Sequence, residues 1–244
     1  MKNNEIQYLE WDSHFFNKKV GKLILSKENQ NQFCENDFYR YDLIYIYNYQ
    51  NDKEVNNFIL EKFSNARLQD INVQLKRSSL NINENNSGII TDIKFIKEES
   101  IDLVISLSKG AFRYTRFFND PLIPNELADI IYEQWLINSF KSEDSKMLGY
   151  YQNNILKGYI LYKYENEKSI RIELIAVSKT SQNQGIASKL IDAMFYKVNE
   201  DLHHFEFLVG TQLNNIGALN LYISCGFKIL DISSVYHWWK EDLF

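Results

Sequence analysis

Residues 182–188 read Gln182-Asn183-Gln184-Gly185-Ile186-Ala187-Ser188 and follow directly on the loop after an apolar Leu174-Ile175-Ala176-Val177 run. This pattern predicts a strand ending at Val177, a polar loop, and a helix opened by a small residue. Such a corner suits an anion. The first turn of a helix has unpaired backbone N–H groups, and the helix dipole favours negative charge there. Gly185 and Ala187 lack bulk, so a pyrophosphate reaches the amides closely, and Ser188 adds a hydroxyl donor. An ordinary strand–loop–helix corner with a glycine turn fits the same string.

Three further residues bear on chemistry near this corner. Asn215 stands where a second helix starts and is a natural N-cap. Tyr222 lies on that helix, and a phenol of ordinary pKa, about 10, is protonated at neutral pH and able to donate. It is equally a half-buried tyrosine sealing a core. Glu173 precedes Val177 by four positions, which on a regular strand puts both side chains on one face. The other reactive types give less. Cys34 and Cys225 are far apart and lack metal-ligand spacing, which suits free thiols in a reduced cytoplasmic setting. Cys225 reads as packing. His203-His204 has no nearby Cys or HxxxH partner, so no metal is expected. His14 and His237 are possible bases, or satisfied core or interface histidines.

Composition bounds the classes. With 45% hydrophobic and 24% charged residues the chain reads as globular. A net charge of −5 and no concentrated Lys/Arg run argue against nucleic acid. No apolar stretch approaches the roughly 20 residues that span a bilayer, and no apolar signal core follows Met1-Lys2-Asn3-Asn4-Glu5, so neither membrane insertion nor export is expected. The 16 Tyr, 16 Phe and 4 Trp are read first as core; Trp238-Trp239 is read as core or subunit contact.

The elements that must position these residues fall into two halves. In the first, 20–25 and 41–49 read as strands and 55–63 as a helix with Phe58, Ile59 and Phe63 on one face. The turn-rich stretch 81–88 is the best internal boundary, giving domains 1–90 and 91–244. In the second, 98–112 and 125–140 read as helices around Pro121 and Pro124. Strands follow at 146–151, 155–164 and 170–177, the first two joined by an Asn153-Asn154 turn. A helix at 185–199, a strand at 205–209, a helix at 215–224 ended by Gly226, and a strand at 235–239 complete a mixed α/β order.

The Gln-x-x-Gly-x-Ala string after its Leu-Ile-Ala-Val strand resembles motif A of the GNAT acyltransferase superfamily. Asn215, Ala218, Tyr222 and Gly226-Phe227 resemble its motif B. Within that superfamily the chain resembles the dTDP-fucosamine N-acetyltransferases. The resemblance rests on Trp11-Asp12-Ser13-His14-Phe15-Phe16, Ala111-Phe112-Arg113-Tyr114-Thr115-Arg116-Phe117, Tyr132-Glu133-Gln134-Trp135 and Thr211-Gln212-Leu213-Asn214-Asn215. It departs from that family at Gln184, where the family usually has Arg, and so loses one charge near the phosphates.

The resemblance implies an α/β GNAT fold, a partial GNAT-like N-terminal domain before a complete one, and a homodimer. It also implies transfer from acetyl-CoA or another acyl-CoA to the amine of a dTDP-linked amino sugar, without a metal. Residues 182–188 would then hold the pyrophosphate, Asn215 the pantetheine arm, and the Val177 N–H the oxyanion. Tyr222 would be the general acid, Glu173 would organise the water that takes the amine proton, and Arg116 would border the acceptor pocket. An acceptor that is a protein N-terminus or small amine, or a non-catalytic CoA-binding module, are the alternatives.

Overall fold

The computed structural model describes residues 5–32, 35–78, 92–199 and 206–240. The boundary expected at 81–88, Cys34 and the His203-His204 pair lie outside them. The first part of the chain supplies β1 (Gln7–Tyr8), α1 (Glu10–Phe16), β2 (Val20–Ile24), β3 (Leu43–Asn48), α2 (Lys53–Lys62) and β4 (Ala66–Ser78). Then come β5 (Ile93–Phe95), α3 (Ile101–Ser108), α4 (Arg116–Asn119) and α5 (Asn125–Phe140). The rest is β6 (Ser145–Gln152), β7 (Ile155–Asn166), β8 (Ser169–Val177), α6 (Ile186–Asn199), β9 (Glu206–Gln212), α7 (Ile216–Ser224) and β10 (Lys228–Trp239).

The ten strands among the described residues join one mixed sheet, ordered β1-β2-β3-β10-β4-β9-β8-β7-β6-β5. The last strand, β10, inserts between β3 and β4 and pairs antiparallel with both. The C-terminal segment is therefore stitched into the N-terminal one by a continuous ladder. β2–β3 and β8–β9 are the parallel pairs; the other contacts are antiparallel.

Alternation along the strands sorts side chains onto two faces. On one face, Ile44 and Ile46 of β3 pack with Val55 and Ile59 of α2, and Val73 and Leu75 of β4 pack with Leu190 and Met194 of α6 and Tyr222 of α7. On the other, Leu43 and Tyr45 of β3, Tyr159 and Leu161 of β7 and Trp239 of β10 pack with Val104 of α3, Phe117 of α4 and Leu136 of α5. Trp238 and Trp239 thus fill opposite cores.

Local signals explain most element ends. Asp52 caps α2, its carboxylate accepting from the N–H groups of Glu54 and Val55. Asn153 and Asn154 take φ of 51° and 62°, the left-handed pair that a tight hairpin needs between β6 and β7. The helix expected over 98–112 is shorter. A 3₁₀ turn precedes α3, which ends at Ser108, and Gly110 turns left-handed while its N–H donates to Asp129. Two long strands carry more than the sequence patterns imply. β10 starts at Lys228 rather than near 235, and the polar β4 was not evident at all.

Candidate active site

β8 and β9 run together only from Ser169↔Glu206 to Ile172↔Val209. Beyond that point β8 stays with β7 as far as Val177↔Gly158, while β9 stays with β4 as far as Gln212↔Asn72. A gap therefore opens in the middle of the sheet, flanked by 173–177 and 210–212.

The backbone of β8 aims a donor into this gap. Ser178 N–H donates to Lys157 O at 2.8 Å. Antiparallel strands exchange such bonds at alternate pairs, so the N–H of Val177 points away from β7, towards the side β9 has left. Gln182 Nε2 donates to the Val177 carbonyl at 3.3 Å, tying the following loop to the strand end.

That loop has the backbone of the corner expected to take an anion. Asn183 and Gly185 both turn left-handed, with φ of 60° and 73°, and α6 begins at Ile186. Residues 182–185 are exposed, and a Cβ built on Gly185 meets nothing within 4 Å. The amides at the start of α6 are thus open to a phosphate group, which fits the pyrophosphate of coenzyme A. Ile186 faces the core, and the Ser188 hydroxyl lies against the Cys225 thiol, linking α6 to α7.

α7 is fixed at both ends. Asn215 Oδ1 accepts from Ala218 N–H at 3.2 Å, so the expected cap is formed. At the other end Gly226, with φ of 83°, allows Phe227 N–H to donate to the Tyr222 carbonyl at 3.0 Å. Arg77 of β4 adds a guanidinium N–H to the Cys225 carbonyl. Tyr222 is 4% exposed, with its ring 5.8 Å from that of Phe227. Burial pushes its phenol well up, which keeps it protonated. Burial likewise raises the Cys225 thiol, in keeping with packing.

Glu173 does not share a face with Val177. Leu174 pairs with Leu161 but Ile172 pairs with Tyr162, so Glu173 is the extra residue of a β-bulge. The bulge resets the alternation. Ile175 and Val177 pack on the α6 side, whereas Glu173 faces the Trp135 indole of α5 on the opposite side. Burial raises its carboxyl despite Lys163 and Trp135.

On that opposite side the middle of the sheet is polar. Asp70, Asn72 and Gln74 alternate with the core residues Val73 and Leu75 along β4, and Arg171 Nη1 donates to Gln74 at 2.9 Å. Asp70 faces the Gln212 side chain at the edge of the gap. Burial pushes its carboxyl up to about 7, against the lowering effects of Arg116, Gln212 and the Ile71 N–H. Sequence reasoning missed Asp70. Its one signal was a carboxylate within an otherwise alternating Leu68–Leu75 stretch, legible only once that stretch is known to be a central strand.

Arg116 opens α4 on the same side. Its guanidinium carbon lies 4.8 Å from the Tyr45 ring, 5.9 Å from Tyr47 and 4.4 Å from Phe117, and its buried Nε has no partner. His237 is fully buried. Its Nδ1 and the Trp239 Nε1 both bond Asp120 Oδ2, at 2.6 and 2.9 Å, which leaves it a core histidine. His14 is exposed, its Nδ1 2.9 Å from the Glu10 carbonyl. Among the described residues no group of three or more His, Cys, Asp and Glu is placed to hold a metal, and no helix is long and apolar enough to cross a membrane.

A sheet split beside a glycine corner, with a tyrosine-bearing helix behind it, is the arrangement that the sequence resemblance to GNAT proteins implies. The family pattern described as acetyltransferase (GNAT) domain matches residues 110–237, more than half of the 244-residue chain. The protein belongs to the GNAT acetyltransferase family.

Among curated proteins it is similar to the spore coat polysaccharide biosynthesis protein SpsD of Bacillus subtilis, 26% identical over 138 residues, 57% of this chain and 47% of that protein. It is also similar to N-alpha-acetyltransferase 30 of Saccharomyces cerevisiae, 33% identical over 78 residues, 30% of this chain and 44% of that one. The chain spans about half the length of these curated relatives. Among solved structures, a conserved protein of unknown function from Staphylococcus epidermidis matches over 98% of this chain and 92% of its own, with TM-score 0.67 and 14% identity. A tandem GNAT protein of clavulanic acid biosynthesis matches over 80% and 63%, with TM-score 0.55 and 11% identity. These likenesses define the fold.

Proposed function

We propose that the protein is an N-acyltransferase that moves an acyl group, acetyl or a short hydroxyacyl such as 3-hydroxybutyryl, from coenzyme A to the amine of a dTDP-linked amino-dideoxy sugar. Coenzyme A supplies the acyl group activated as a thioester. The amides of 183–188 hold its pyrophosphate, and α7, capped by Asn215, borders the pantetheine arm.

Asp70 is the observation that carries the chemistry. A buried carboxyl with a pKa of about 7 stands at the edge of the gap, on the face opposite Tyr222. A general base is most effective when its pKa lies near the working pH. In this reading Asp70 takes the proton from the acceptor amine, directly or through one water, and frees the nitrogen lone pair. Glu173 and Gln212 orient that water. As the C–N bond forms, the Val177 N–H donates to the developing oxyanion. As the C–S bond breaks, Tyr222 gives its phenolic proton to the leaving sulfur. Arg116 borders the acceptor.

The sugar acceptor is supported by the N-terminal residues that resemble dTDP-fucosamine acetyltransferases and by the likeness to a polysaccharide biosynthesis protein. The 78-residue likeness to N-alpha-acetyltransferase 30 favours a second reading, a protein N-terminus. Free thiol released from acetyl-CoA should be followed with 4-amino-4,6-dideoxy and 3-amino-3,6-dideoxy sugars linked to dTDP, and with short peptides. We expect release with a sugar nucleotide. Silence across the sugars with several acyl-CoAs removes that acceptor, and release with peptides alone selects the second reading.

A further inference from the structure

The polar face beside the gap continues sideways across the sheet. Asn72 pairs with Gln212, Asp70 with Val235, and Val235 with Tyr47. On the far side of β3, Lys22 of β2 pairs with Tyr45 and shares its face. From β9 to β2 the row crosses four strand spacings, about 19 Å at ~4.8 Å each.

Its far end is aromatic and cationic. The Tyr47 and Tyr49 rings lie 5.6 Å apart, and the Lys22 ammonium sits 5.0 and 5.8 Å from them. Arg116 lies over Tyr45 and Tyr47 from above. Among the described residues Lys22 makes no ion pair with a carboxylate, whereas Arg116 faces the carboxyls of Asp12 and Asp70 without a direct ion pair to either. Tyr49 is 41% exposed and Ile24, on the Lys22 face of β2, is 41% exposed, so this end is open.

Two cations beside a tyrosine row, of which Lys22 faces no carboxylate, match a ligand with a flat ring and an anionic link, because stacking and charge act together. The geometry points to Tyr47, Tyr49, Lys22 and Arg116 as a distal acceptor subsite that binds the nucleoside-diphosphate end of the acceptor while its amine lies at Asp70. This rests on the acyl-transfer reading above and adds the residues that select an elongated, anionic acceptor. The same subsite gives no grip to a neutral peptide N-terminus.

The test is calorimetric titration of dTDP into the protein already saturated with coenzyme A, so that the cofactor's own phosphate corner is filled. Thymidine and inorganic pyrophosphate are parallel probes. We expect dTDP to bind more tightly than either fragment. Lys22→Ala and Tyr49→Ala should each weaken it about tenfold, Tyr49→Phe should restore stacking, and coenzyme A affinity should hold in all three. In turnover the loss should fall on KM for the sugar nucleotide. Undiminished dTDP binding in both alanine variants overturns the subsite even if sugar turnover stands. Absence of dTDP binding to the wild type overturns it too, and thiol release with peptides alone then identifies the failure as one of the sugar reading itself.

Discussion

Asp70 and Tyr222 stand on opposite faces of one sheet, either side of the gap that β8 and β9 leave. Asp70 alternates along β4 with Val73 and Leu75, and those two pack in the same cluster as Tyr222. A carboxyl raised towards neutrality thus faces one side, and a phenol held protonated by burial faces the other. This separation lets one group remove a proton while the other supplies one.

Tyr222→Phe removes a hydroxyl and keeps the ring that packs on Phe227. We expect kcat to fall on the order of a hundredfold or more, with coenzyme A affinity and melting temperature close to the wild type. Turnover at the wild-type rate rejects Tyr222 as the acid.

Asp70→Asn should abolish the limb of the kcat/KM profile that rises through about pH 7. Its effect on stability has the opposite sense. The folded pKa of about 7 exceeds the ordinary 3.8, so the folded state binds this proton more tightly. The corresponding stability is present below the unfolded value and lost as pH rises through 7. The variant should therefore gain melting temperature relative to the wild type above pH 7, as differential scanning fluorimetry across pH reads directly.

His237 and Asp120 set the acid limit. Burial lowers His237 to about 4 from 6.5, and His237 and Trp239 hold the Asp120 carboxyl below its ordinary value. Both are depressed on folding, so their stability is present above the unfolded values and is lost as pH falls through the folded ones. The thermal midpoint should drop between pH 6.5 and 4 through His237 and again below 3.8 through Asp120, and His237→Gln should flatten the first drop while lowering the midpoint at pH 7.

The fold was legible where pattern and packing agree. The Gly185 corner, the Asn215 cap and the Gly226 stop depend on local backbone chemistry and appear as expected. The bulge at Glu173 did not, because strand alternation is readable only while the register is unbroken, and register is a property of the pairing with β7. Likewise β4 presents Asp70, Asn72 and Gln74 to a polar groove, so its sequence lacks the apolar pattern of a central strand. Arg116 was expected at a pocket border, and nothing local in its sequence points to the tyrosines of β3 that enclose it.

Gly185→Ala probes the phosphate corner. A methyl group has room, but φ of 73° costs a non-glycine residue about 1 kcal/mol. We expect a small loss of stability and a rise in KM for acyl-CoA, with kcat less affected.

The most direct test is a crystal structure with coenzyme A bound. We expect its pyrophosphate on the amides that open α6 and its pantetheine arm in the gap between 173–177 and 210–212, with the sulfur near Tyr222 and the Val177 N–H facing the acyl position. A coenzyme A bound elsewhere, with the two strands closed on each other, contradicts the account.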